Sequence, residues 1–158
     1  MESQPPAQPP APVASPSARP TVVTVAGILL IIIGALVGLL GLVIVLAGSF
    51  FGGLDGAGFS GSVAGLRDAV GAFFIVAGLI FLIFGALDVL TGIYVLPGRP
   101  WARITAIVLS VLGALFSLGG VMGERGMQGG VLIPLVFLVA YVFIIWAVSA
   151  NGRWFAER

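Results

Sequence analysis

The sequence predicts an all-α fold, a four-helix transmembrane bundle behind a disordered Pro/Ala-rich N-terminal tail. Three observations predict it. Hydrophobic residues make up 59% of the 158 residues and charged residues 8%, against about 45–50% and about 25% in soluble domains. So few charges cannot cover a water-facing surface, and the mean hydropathy of +1.21 fits a bilayer as the solvent. Four apolar segments each reach the roughly 20 residues that a helix needs to cross about 30 Å of hydrocarbon. The joints between them carry Pro, Gly and Asn, the residues that start and stop helices.

Residues 1–20 are rich in Pro, Ala, Ser and Gln. Their side chains bury too little apolar surface to offset ordering entropy, so this stretch is expected to be a disordered cytoplasmic tail. It does not read as a cleaved signal peptide. The apolar run begins late, exceeds the usual 7–15 residues and lacks a small-x-small cleavage site.

The transmembrane domain is placed at 21–150, with helices at about 21–48, 69–96, 101–122 and 130–150. The first span, Thr21 to Gly48, contains no charge, and the second, Ala69 to Leu96, contains only Asp88. The third, Trp101 to Met122, has Arg103 at its start, and the fourth, Gly130 to Ala150, is uncharged. Long unbroken apolar runs lack the alternation of a membrane barrel. Backbone groups in lipid must pair within the segment, which leaves helices.

Pro20-Thr21 offers a cap to helix one. Pro97-Gly98-Arg99-Pro100 reads as a tight turn, with Pro100 placed to open helix three. That link is short enough to make helices two and three antiparallel neighbours. Pro134 falls in the first turn of helix four, where its missing N–H does little harm, and Asn151-Gly152 can end that helix. The connections at 49–68 and 119–129 are Gly-rich and are expected to be flexible.

Arginine placement sets the expected orientation. Arg19, Arg99, Arg103, Arg153 and Arg158 fall on one side, Arg67 and Arg125 on the other. Five against two puts both termini in the cytoplasm of a multi-pass cell-membrane protein. Tyr94, Trp101, Trp146 and Trp154 cluster near the same face as an aromatic belt. Residues 151–158 read as a short cytoplasmic tail in which Trp154 and Phe155 anchor at the lipid interface.

Glycine spacing is the clearest pattern. Gly27, Gly34, Gly41 and Gly48 stand seven apart in helix one, and Gly71, Gly78, Gly85 and Gly92 do so in helix two. A seven-residue step keeps each set on one stripe of a helix pair. Small residues there let backbones approach, within the chain or between copies. Ala106, Gly113 and Gly120 continue the pattern loosely in helix three, as do Ala140 and Ala147 in helix four.

Asp88 is the one acidic residue inside a span. A charge at mid-bilayer costs about 2.5–3.5 kcal/mol on insertion scales. Asp88 shares the stripe of Gly85 and Gly92, so it should face helices and not lipid. Arg99 and Arg103 are placed to reach back to it, and Thr91, Ser110 or Ser117 to donate hydrogen bonds. It is either a polar packing group or an ion or proton site.

Other chemistry finds little to build on. The chain has no Cys, no His and no Lys, so thiolate and imidazole metal ligands are absent, as is the commonest general base at neutral pH. No catalytic, metal or cofactor site is expected. A net charge of +1 with scattered arginines argues against nucleic acid. Gly56-x-Gly58-x-x-Gly61 matches a dinucleotide fingerprint in letters but opens no βαβ unit.

The Pro/Ala/Gln-rich tail before helix one and the Gly98-Arg99-Pro100-Trp101-Ala102-Arg103 link resemble the layout of small four-span membrane proteins common in actinobacteria. That resemblance implies the fold but no activity, cofactor or site residue. The function expected from the residues is that of a non-enzymatic accessory or scaffold protein. It would act in the lipid bilayer through helix–helix contacts, with a second copy or a membrane-protein partner. The alternative is a small oligomeric transporter or channel with Asp88 as its ion or proton site.

Overall fold

The computed structural model describes residues 19–53, 62–123 and 130–156, the side chains of 62–64 excepted. The tail over 1–18, Asp55, Phe59 and the Gly56–Gly61 motif, Glu124, Arg125 and the last two residues lie outside the described residues. The helices are α1 (Thr21–Gly52), α2 (Ser62–Val95), α3 (Pro100–Gly123), α4 (Leu132–Ala150) and a short α5 (Gly152–Ala156). The first four are long and apolar enough to cross a membrane. The chain is a four-helix transmembrane bundle.

α1 runs past Gly48 to Gly52, and α2 starts at Ser62 instead of near Ala69, so the expected link is narrower than its glycines suggest. Each glycine costs a helix about 1 kcal/mol, but here the two ends support each other. A Cβ on Gly48 would come within 3 Å of the Gly71 backbone, and the Phe51 and Phe74 rings stack at 6.3 Å.

The α2–α3 turn is built by its glycine. Gly98 has φ +83°, a left-handed conformation open to glycine at little cost. Its N–H donates to Val95 O at 3.0 Å, and the Arg99 N–H donates to Tyr94 O at 3.2 Å. These two bonds form a Schellman cap on α2. Pro100 then opens α3 at its first position, where no N–H is missed.

Sequential helices are antiparallel. Gly27 lies against Gly92 and Leu96, and Gly113 lies against Tyr141. The bundle therefore has a turn end, with the start of α1, the α2–α3 turn and α5, and a far end. The hairpins differ in length. α1 and α2, at 32 and 34 residues, run about 48 and 51 Å, and α3 and α4, at 24 and 19 residues, about 36 and 28 Å. The first hairpin exceeds a hydrocarbon core of about 30 Å. It tilts or carries its far end into the interface, where Phe50, Phe51 and Phe73 are exposed.

The core is concentrated at the turn end. Val23, Leu30, Val95, Ala106, Ile144 and Val148 form one buried cluster that also takes in Trp154 and Phe155. This corrects the reading of Trp154 and Phe155 as anchors at the lipid interface. Residues 152–156 form α5, in which Trp154 and Phe155 are 5% and 1% exposed. The Trp154 ring fills the space beside Gly98, where a Cβ would sit within 3 Å of it. Tyr94 and Trp101, rings 5.0 Å apart, and Trp146 remain exposed and can form a belt; Trp154 leaves it. Toward the far end from Asp88 and Tyr141, the only buried positions among the described residues are glycines of α1 and α2.

Candidate functional site

Asp88 is 3% exposed although it sits inside a membrane span. Gly34 of α1 makes the burial possible: a Cβ there would stand 2.7 Å from the Asp88 Cβ. The Asp88 carboxylate reaches across to α4, where the Tyr141 hydroxyl donates to Oδ2 at 3.4 Å. Tyr141 in turn needs Gly113 of α3, whose missing side chain leaves the room that its ring occupies. Each of the four long helices thus contributes one residue. Two glycines seat two polar side chains.

The remaining polar groups do not satisfy Asp88. Its Oδ1 is buried without a hydrogen-bond partner among the described residues, and so is Ser110 Oγ, one turn from Gly113 on α3. Ser117 Oγ donates to its own helix, at Gly113 O, 2.8 Å. Thr91 is buried, with no bond to Asp88.

Several sequence expectations change here. Arg99 and Arg103 do not reach Asp88. Arg99 is exposed at the turn. The Arg103 guanidinium lies directly against Gly152, where a Cβ would meet it within 3 Å, and its Nε is buried without a hydrogen-bond partner among the described residues. The reason is register. Arg103 is in the first turn of α3, ten residues before Gly113, which is about 15 Å along the axis. The donor to Asp88 is Tyr141, not Thr91, Ser110 or Ser117. Nothing in the spacing of the fourth span singles out Tyr141, which stands 53 residues from Asp88. The available signal was a phenol at mid-span, since a buried phenol usually finds a partner.

The eight heptad glycines come together within the chain. Gly27 packs on Gly92, Gly34 on Gly85, Gly41 on Gly78 and Gly48 on Gly71. At Gly34, Gly41 and Gly48 an added Cβ would come within 3 Å of the α2 backbone. Each step of seven forward in α1 meets a step of seven back in α2. Among the described residues, no group of three metal-ligating side chains forms. What the site offers is a carboxyl and a phenol joined in an apolar surround, a pair that can hold, share or exchange a proton. Comparison with protein-family models, with curated proteins and with solved structures found no match, which leaves these residues themselves as the basis for a functional reading.

Proposed function

We propose that this protein is a non-enzymatic accessory or scaffold protein of the cell membrane, with both termini cytoplasmic, that works by helix–helix contact. One observation carries the reading. The eight heptad glycines of α1 and α2 are used inside the chain, whereas a Cβ added to Gly119 or Gly123 of α3 would meet no atom within 4 Å among the described residues beyond its own helix, as at Gly52 and Gly65 on the far ends of α1 and α2. Gly119 and Gly123 stand four apart, the small-xxx-small spacing by which membrane helices associate. Leu112, Leu115 and Phe116 continue the same stripe and are exposed. The stripe is open to a second copy or to a helix of another membrane protein.

The test compares the parent chain with Gly119→Leu/Gly123→Leu after gentle detergent extraction. Mass and crosslinking should show a stoichiometric assembly for the parent and its loss in the variant, whose monomer should melt at the same temperature or slightly higher. An assembly that survives both leucines ends the reading. Recovery of the parent as a closed ring of copies turns it toward the second reading, a small oligomeric transporter or channel using Asp88. What favours that second reading is the buried Oδ1 without a partner.

A further inference from the structure

Asp88 needs an account that holds whether or not the chain has a partner. The groups that face it are few. α1 carries no charged or titratable side chain from Thr21 to Gly52. On α2, Arg67 and Asp68 pair with each other at 2.7 Å near the far end, and Tyr94 is exposed near the turn. On α3, Arg103 lies against Gly152. On α4 there is only Tyr141, and on α5 Arg153 is exposed. Among the described residues, Asp88 therefore has one hydrogen bond from a neutral donor and no ion pair. A carboxylate left charged here would lack a counter-ion in a low-dielectric surround, which is costly. A hard metal cation would want a shell of about six or more oxygens, and among the described residues the side-chain oxygens brought together by a hydrogen bond here are those of Asp88 and Tyr141.

Access is one-sided. Toward the turn end, Leu30, Val95, Ala106, Ile144 and Val148 are buried with Trp154 and Phe155 behind them. Toward the far end, no residue of α3 or α4 beyond Gly113 and Tyr141 is buried, and the hairpins meet there through partly exposed side chains such as Phe81 and Phe116, rings 5.6 Å apart, so the packing is looser on that side. We infer that Asp88 is a reversible proton-binding site within the membrane, entered from the far end between the hairpins and partnered by the Tyr141 phenol. Proton binding there requires neither transport nor a partner protein.

The full-length chain, in nanodiscs and in oriented vesicles, is treated with dicyclohexylcarbodiimide, an apolar reagent that attacks protonated carboxyls. The Asp88 O–H adds across a C=N bond. The carboxyl oxygen bonds the central carbon and the proton goes to nitrogen. The acyl group then migrates from oxygen to the other nitrogen, giving a stable N-acylurea with no group lost. Peptide mass analysis should show one intact reagent on Asp88. Labelling should fall about tenfold per pH unit once the carboxyl ionises, should be indifferent to Na⁺, and in vesicles should follow the pH of the compartment at the far end. Tyr141→Phe, which keeps the ring, should change the pH midpoint, and Asp88→Glu should retain the label. The inference is overturned by an unlabelled Asp88 across the pH range, by labelling independent of pH, by protection with Na⁺, by dependence on the pH at the turn end, or by an unchanged midpoint in Tyr141→Phe.

Discussion

The two hairpins of this bundle solve the same packing problem in different ways. In α1–α2 glycine meets glycine, so that backbone touches backbone over four successive steps. In α3–α4 small residues meet large ones: Gly113 receives the Tyr141 ring, and Gly120 lies near the Pro134 ring. Lipid offers helices no hydrophobic drive to associate, so close van der Waals fit must supply the attraction. A backbone-to-backbone seam does so with atoms that cannot move aside. A side chain in a gap does so with atoms that can rotate. The first hairpin should therefore be the intolerant one, and the second the one whose contacts can adjust.

The largest expected effect tests the seam. A Cβ at Gly85 would overlap the backbone of Gly34 and Gly38. Gly85→Ala should force α1 from α2 and lose stability at the upper end of the overpacking range, about 3 kcal/mol. Gly27→Ala should lose less, because the nearest atoms to its Cβ belong to the Leu96 side chain. Thermal melting in one detergent ranks the pair. Equal melting of Gly85→Ala and the parent would mean that the seam is not held closed.

A middle-sized effect tests the gap. Gly113→Ala places a methyl group in the Tyr141 ring, which must swing and release Asp88. The lost hydrogen bond and the shifted ring together should remove about 1–3 kcal/mol. In a Tyr141→Leu background the same methyl group meets no ring and should cost little. A double-mutant cycle should then return a coupling of about 1 kcal/mol or more. Additive losses would mean that Gly113 and Tyr141 do not act as one unit.

These contrasts also show what the sequence could reveal. Features set by local rules were legible: four spans from length and apolarity, the start of α3 from Pro100, and the stripe on which Asp88 sits from seven-residue spacing. Features that need two distant elements in register were not. Tyr141 lies 53 residues from Asp88, and nothing local says that α4 presents that residue at that height. Trp154 and Phe155 follow a membrane helix, where aromatics usually anchor in the interface. The Gly98 turn, more than fifty residues earlier, provides the recess that the Trp154 ring fills. The residues just beyond Gly48 and just before Ala69 read as a flexible link, because the contact that supports these helix ends runs between the two helices.

The smallest effect sharpens the comparison, because it concerns a glycine that belongs to neither kind of packing. Gly119 is helical, and a Cβ added there would meet no atom within 4 Å among the described residues beyond its own helix. With no neighbour to overlap, Gly119→Ala should act only through backbone entropy, where alanine is the better helix former by about 1 kcal/mol. The monomer should therefore melt at the same temperature or slightly higher. That sign is opposite to Gly85→Ala, although the chemical change is identical. A clear loss of stability in monomeric detergent complexes would show that α3 packs on something within the chain through this face. A small gain, together with weaker assembly in Gly119→Leu/Gly123→Leu, would mean that glycine is kept there against helix propensity. Close approach of a second helix is then the reason that physical chemistry provides.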